Sequence, residues 1–387
     1  MAAARKLHAK ENRSAESRRD VNVDIPFLFL ILLLLGVGLA VLYSASFAQS
    51  AYDTGYTVTT KYLQKQALCA AIGLAAMYGF SRIPSAVWYR LAWPIYVFSI
   101  VLLLSVLVIG EEVNGAKRWI NLAGIQFQPS EVAKFAMIVL FARLTRRFGP
   151  EAETFRYGVM GFGMALMGIL VPLALEKHLS AIMLMGMVAV VMMFVAGTRA
   201  KWLLAGAGAA AVFVVVYISF MGYAGDRVTA WLHPEQDPGD TGYQILQSLY
   251  AIGSGGLLGL GYGKSRQKYL YLPFQYNDYI FAIVCEELGL MGATLIVLLF
   301  ALTILRGYWI ALHSPDRFST VLASGLITLI AVQTILNLCV VTNLLPSTGI
   351  ALPFFSYGGT ALAVNLGEMG ILLGISRNQR NRQEEWL

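Results

Sequence analysis

The chain has 387 residues, of which 57% are hydrophobic and only 13% charged, with a mean hydropathy of +0.64. A soluble chain of this length would carry more charge and fewer unbroken apolar runs, so the composition defines a polytopic membrane protein. The net charge of +7 does not by itself point to nucleic acid, because basic cytoplasmic loops produce the same excess.

Residues 1–24 are polar and basic (Arg5, Lys6, Lys10, Arg13, Arg18, Arg19) and read as a disordered tail. Ile25–Phe47 follows, long enough to cross the ~30 Å bilayer core; its length favours an uncleaved anchor over a signal peptide. Further apolar runs lie at about 64–80, 88–109, 130–145, 157–175, 179–197, 202–221, 279–304, 318–341 and 355–375, ten candidate spans in all. The run at 130–145 is short and carries Glu131 and Lys134, so it must face protein or water.

The loops test this count. On the tail's side fall Ser81–Tyr89, Thr145–Arg156, Thr198–Lys201, Arg306–Arg317 and residues 377–387, and every one is basic. The expected fold is therefore all-α and polytopic, with ten transmembrane helices over 25–376, both termini cytoplasmic and a cytoplasmic tail at 377–387. Residues 222–278 form a large extracellular loop between helices 7 and 8, too long for a simple connector. Within it, Gly242–Leu257 is expected to be an amphipathic helix lying on the membrane through Leu246, Leu249, Tyr250 and Gly253. Much of the basic excess is topological, which argues against a nucleic-acid partner. Cys69, Cys285 and Cys339 sit in apolar runs, where neither a disulfide framework nor a zinc site is indicated.

Asp278 stands where the long polar loop runs into a hydrophobic helix. It reads either as a helix N-cap or as a general base at the outer surface, its pKa raised by Tyr271, Phe274, Tyr276 and Tyr279. Glu286 and Glu287, roughly 12–14 Å deeper, read as a proton relay or as partners of a buried Lys or Arg. In the second outer loop, Lys117, Arg118 and Lys134 could bind a pyrophosphate; Glu131 and Lys134 also share a helix face as an i,i+3 salt bridge. Arg227, Lys264, Arg266 and Lys268 add cations on that side, where something anionic should compensate them.

The glycine-rich stretch Gly253–Ser265 fails P-loop spacing, because Leu258 stands where the first glycine belongs. Its glycines read as tight turns and close backbone approach to a ligand or the bilayer. His178 has no second ligand at metal spacing. Pro346–Thr360, which includes Ser356, Gly358 and Gly359, is a broken re-entry into the membrane, and irregular backbone at that depth makes it a candidate cavity wall.

The motifs Asn114-Gly-Ala-x-Arg-Trp, Gln128-Pro-Ser-Glu-x-x-Lys134, Gln267-Lys-x-x-Tyr-Leu-Pro273, Asp278-Tyr-Ile-Phe-Ala, Glu286-Glu-x-Gly289 and Leu352-Pro-Phe-x-Ser-Tyr-Gly-Gly359 together resemble the SEDS family. These are the shape, elongation, division and sporulation proteins FtsW, RodA and SpoVE. The ending Glu368–Arg377 looks closer to the division and sporulation branches. The resemblance implies ten membrane helices in the bacterial cytoplasmic membrane, at the division septum. It also implies peptidoglycan glycosyltransferase activity on lipid II, which polymerises glycan linked to undecaprenyl pyrophosphate.

The partners so implied are a class B penicillin-binding protein and other divisome proteins. The family's essential aspartate falls on Asp278, its loop arginine on Arg118, and its fourth-helix Glu and Lys on Glu131 and Lys134. Two positions depart from the family pattern: the glutamate upstream of the aspartate is missing, and Gln-Pro-Asp-Leu-Gly is replaced by Glu176-Lys-His-Leu-Ser180. A divalent cation (Mg or Mn) could assist at the pyrophosphate, although no motif demands one. The competing readings are a lipid II flippase using Glu131, Lys134, Glu286, Glu287 and Glu368 as a path, and a non-catalytic division scaffold.

Overall fold

The computed structural model describes residues 23–113, 116–122, 125–206, 208, 229–236 and 241–377. Residues 1–22 and 378–387, most of the run at 202–221, and Arg227 lie outside the described residues.

Helix α1 (Ile25–Asp53) starts where Asp24 accepts a hydrogen bond from the Phe27 amide at 2.9 Å, with proline in the first turn. The same carboxylate takes the Arg306 guanidinium at 2.8 Å, and the Asp24 amide donates to Ser376 Oγ at 3.2 Å. One residue thus closes a helix start and ties both ends of the chain to the same end of the bundle. Helices α2 (Lys61–Phe80) and α3 (Ser85–Ile109) follow.

The connection from α3 to α4 (Pro129–Phe148) is a small antiparallel sheet, β1 (Glu111–Val113), β2 (Ala116–Leu122) and β3 (Ile125–Phe127), in the order β1-β2-β3. It is an exception to the expected all-α architecture. Helix α4 is buried along most of its length despite Glu131 and Lys134, as the short charged run required. A π-helical turn (Phe155–Gly161) leads into α5 (Phe162–Leu175), and α6 (Leu179–Val195) returns. Helical backbone resumes at 200–206.

After the undescribed stretch come α7 (Thr241–Gly255), α8 (Ile280–Leu312), α9 (Arg317–Val341) and α10 (Gly359–Arg377). Among the described residues, six helical segments are long and apolar enough to cross a membrane: Ile25–Asp53, Ser85–Ile109, Phe155–Leu175, Ile280–Leu312, Arg317–Val341 and Gly359–Arg377. This is a multi-pass membrane protein. Helix α9 is its central post, with 78% of its apolar window buried against 28% for α3.

Helix α7 packs into the bundle through a face other than the expected one. Its buried residues are Gly242, Ile245, Ser248, Ala251 and Gly255, while Tyr250 and Gly253 of the expected face point outward. Ser248 Oγ donates to the Val341 carbonyl at 2.8 Å. Small residues let helix backbones approach closely inside a membrane, so the small-residue face packs inward and the bulky face turns out.

The glycines after α7 explain a break in α8. Gly289 has φ 66° and ψ −170°, which interrupts the helix. The four backbone groups this frees are taken by the loop: Leu260 and Gly261 amides donate to the Glu286 and Glu287 carbonyls (2.9 and 3.0 Å). In return, the Leu290 and Met291 amides donate to the Gly256 and Leu257 carbonyls (2.9 and 3.1 Å). A Cβ on Gly259 would stand 2.2 Å from the Glu287 carbonyl oxygen. The glycines therefore serve close approach to a helix backbone, where the sequence pointed to a ligand or the bilayer.

Candidate active site

Asp278 is half-buried in the turn before α8. The N-cap of α8 is Tyr279, without a side-chain cap bond, so the capping reading of Asp278 does not hold. Its backbone is fixed from two other elements. Asn337 of α9 donates through Nδ2 to the Asp278 carbonyl at 2.7 Å and to the Ile350 carbonyl at 2.8 Å. Ser356 Oγ donates to the Asn277 carbonyl at 2.7 Å and accepts from the Leu352 amide at 2.8 Å. Gly349, at φ +69°, faces the carboxylate so closely that a Cβ there would lie 3.4 Å from Asp278 Oδ2.

The re-entry 346–359 is thus a wall around Asp278. Buried Gln66 braces it, donating to the Ser356 carbonyl (3.0 Å) and accepting from the Gly358 amide (3.3 Å), while Gly359 opens α10 against Cys69. Beside it, an aromatic group joins the expected Tyr276 to Tyr62 and Tyr357, which the sequence did not single out, with Tyr62 4.5 Å from the Tyr276 ring and 4.9 Å from that of Tyr357. Tyr62 also donates to Asp53 at 2.6 Å.

A second cluster gathers the cations. Arg118 of β2 donates to the Lys177 carbonyl at 2.6 Å, over a turn in which Lys177 takes φ 55°. Lys134 pairs with Glu131 at 2.8 Å, and both are buried. Buried Glu176 and His178 lie within the field of Arg118. Burial pushes the Glu176 carboxyl up to about 8, against the pull of Arg118. Burial first, then Arg118 and Lys134, pushes His178 down to about 3. Glu368 of α10 is buried near Lys134 and Glu131.

Ser130 Oγ, Glu176 Oε1, His178 Nδ1, Thr348 Oγ1 and both Glu368 oxygens make no hydrogen bond to the described protein. Ser180 Oγ donates to the Thr348 carbonyl, so this polar cluster adjoins the wall that carries Gly349 and meets Asp278. Glu176, His178 and Glu368 were not in the expected site. The sequence groups Glu368 with Glu131 and Lys134 only in the flippase reading, and a lone histidine in a short loop gives no spacing that would join Glu176 and His178 to them.

Strand alternation separates the two neighbouring cations of β2, and Lys117 is exposed. Lys268 is corrected more fully: it is 2% exposed, and its ammonium meets Glu287 at 3.0 Å, Ser44 Oγ at 3.0 Å and the Gly263 carbonyl at 2.6 Å. It is the partner of a buried acid and does not face a substrate. Glu287 also accepts from Ser44 Oγ (2.7 Å) and the Ser265 amide (3.2 Å). Glu286 accepts from Ser265 Oγ and from the Arg266 amide at 2.9 Å. Lys264 and Arg266 are exposed. No group of three or more His, Cys, Asp or Glu suited to a metal occurs among the described residues.

An acid fixed at one end of a helical bundle, with cations gathered from separate elements around a polar cluster that adjoins the same wall, defines a multi-pass membrane protein with a polar site at one end. The sequence profile of the FtsW/RodA/SpoVE family, described as "Cell cycle protein", matches residues 26–381. The chain belongs to that family.

It is 39% identical over 344 residues to the probable peptidoglycan glycosyltransferase FtsW of Geobacter sulfurreducens, covering 88% of this chain and 91% of that one. It is 39% identical over 350 residues to the stage V sporulation protein E of Bacillus subtilis, covering 89% and 94%. Among solved structures, a chain from work described as "Structural coordination of polymerization and crosslinking by a peptidoglycan synthase complex" superimposes with a TM-score of 0.78 at 27% identity, covering 92% of this chain and 98% of that one. The crystal structure of Thermus thermophilus rod shape determining protein RodA gives 0.68 at 27% identity with the same coverage.

Proposed function

We propose that the chain is a peptidoglycan glycosyltransferase that polymerises lipid II on the outer face of the bacterial cytoplasmic membrane. The observation that carries this reading is the convergence of Asp278, held by Asn337 and Ser356, with the Arg118–Lys134 cluster across the 346–349 wall. The Asp278 carboxylate accepts the proton of the acceptor sugar's 4-hydroxyl. The freed oxygen bonds to the donor's anomeric carbon with inversion, and the carbon–oxygen bond to pyrophosphate breaks with its electron pair. Arg118 and Lys134 stabilise that charge. Such a leaving group makes the second carboxylic acid of a hydrolase unnecessary.

In this reading ten helices span the membrane and both tails, 1–24 and 377–387, are cytoplasmic. The working setting is the division septum, with a class B penicillin-binding protein and other divisome proteins as partners. The similarity to a chain of a peptidoglycan synthase complex supports that pairing. The flippase reading needs one line of intramembrane acids. Glu286 and Glu287 are instead occupied with Ser265, Ser44 and Lys268, in a cluster separate from Glu131, Lys134 and Glu368.

The test is glycan polymerisation from purified lipid II in liposomes, wild type against Asp278→Asn, with and without a cognate penicillin-binding protein whose transpeptidase is blocked. Polymer from wild type alone is expected, with activity lower by at least about a thousandfold in the variant, the combined scale of base catalysis and electrostatic loss. Equal polymer from both removes Asp278 from the chemistry.

A further inference from the structure

The large loop reaches down along α1 and α8. The Tyr262 hydroxyl donates to the Ala40 carbonyl at 2.7 Å, and Ala40 lies midway along α1, about 20 Å from either end. The Ser265 amide meets Glu287, about 10 Å below the start of α8. Lys264 and Arg266, flanking Ser265, are therefore exposed alongside the apolar helices α1 and α8. Neither makes an ion pair among the described residues, in contrast to Lys268. An exposed cation beside membrane-spanning helices is costly until water or an anion meets it.

These two cations line a cleft of about 750 Å³ together with Tyr269 and Tyr271. A separate cleft, of about 370 Å³, lies further along the loop between Leu270, Phe274 and Tyr276 on one side and Gln49 and Tyr52, near the end of α1, on the other. Leu270 and Phe274 take φ 68° and 56° and are exposed. The upper cleft is lined by Tyr276, two residues before Asp278, and the intervening Asn277 carbonyl is held by Ser356.

We propose that Gly263–Tyr276 is a lateral track by which the pyrophosphate of a polyprenyl-linked molecule passes between the bilayer and Asp278, with Lys264 and Arg266 as its membrane-side contacts. This rests on the reading that the chain acts on lipid-linked pyrophosphate. Two cations two residues apart suit a diphosphate, and their place beside apolar helices suits an anion whose anchor already lies in the bilayer. The amphipathic faces of Tyr269 and Tyr271 suit a ligand that is polar at one end and apolar at the other. An ordinary phospholipid matches the charge but has no reason to follow the track to Asp278.

The probe is undecaprenyl pyrophosphate, bound to the full chain in nanodiscs of neutral phosphatidylcholine and compared between wild type and Lys264→Gln/Arg266→Gln. Both side chains are exposed, so the variant should melt with the wild type; a variant that melts early is replaced by Lys264→Ser/Arg266→Ser. The expected result is an apparent Kd raised about tenfold, equivalent to about 1.4 kcal/mol. In polymerisation from lipid II the loss should appear in KM rather than kcat.

An unchanged Kd overturns the track. Competition by phosphatidylglycerol as strong as by undecaprenyl pyrophosphate makes the cleft a general anionic-lipid surface, and equal competition by inorganic pyrophosphate makes it an anion site reached from water; either result overturns the proposal. The binding arm needs no turnover, so a failure of the glycosyltransferase reading shows separately, as wild-type chain that binds the probe and makes no polymer.

Discussion

Lys268 and Glu287 are charges that the bundle can bury only as a pair, bridged by Ser44. Lys268→Met strands the carboxylate, and unfolding in detergent should show a loss of about 3–5 kcal/mol; adding Glu287→Gln should recover most of it. A single variant as stable as the wild type would mean that Glu287 is hydrated. The Glu176 and His178 loop makes a prediction about pH. Glu176 titrates at about 8 when folded, against an ordinary 4.5, so its contribution to stability is complete below 4.5 and fades as pH rises to about 8. His178 has the opposite sign: lowered from 6.5 to about 3, it contributes above 6.5 and loses that contribution as pH falls toward about 3. Melting temperature against pH should flatten on the alkaline side in Glu176→Gln and on the acid side in His178→Gln. The Glu131–Lys134 ion pair was legible from its i,i+3 spacing, while Asp278 and Arg118 were singled out because motif and loop position coincide. Lys268 was misplaced because sequence cannot show which of four loop cations turns inward, a choice made here by Ser44 on a helix more than two hundred residues away.

At the scale of elements, the splice between the glycine loop and α8 is the most exposed to substitution. A Cβ on Gly289 would stand 2.3 Å from the Gly259 amide nitrogen and 2.6 Å from the Leu257 carbonyl oxygen. Gly289→Ala should therefore cost roughly 2–4 kcal/mol, from the left-handed backbone and the displaced loop together. Thermal unfolding measures this, and polymerisation should fall with it; a variant that melts like the wild type would show that the loop can move aside. The long apolar runs were legible because bilayer thickness sets helix length. The small sheet β1–β3 escaped notice because its strands are short and an all-α expectation gave no reason to look for pairing. The inward face of α7 escaped because hydrophobic spacing identifies the lipid side of a membrane helix as readily as its protein side.

The whole molecule has one end where both described termini meet, through Asp24 and Ser376, and an opposite end that carries the site. The topology is tested with cysteine labels in a chain whose half-buried Cys339 is replaced by serine. A membrane-impermeant maleimide should label Glu235→Cys in intact cells and Glu151→Cys only after permeabilisation; labelling of both from one side would overturn the arrangement. Both positions are exposed. The four hydrogen bonds that splice residues 256–261 to 286–291 also set the unit in which this family's parts can be exchanged. A loop transplanted from a relative up to the start of α8 would arrive without the broken helix its backbone completes. A chimera should work only when its junction falls beyond Met291, so the loop and the first turns of α8 form a single cassette.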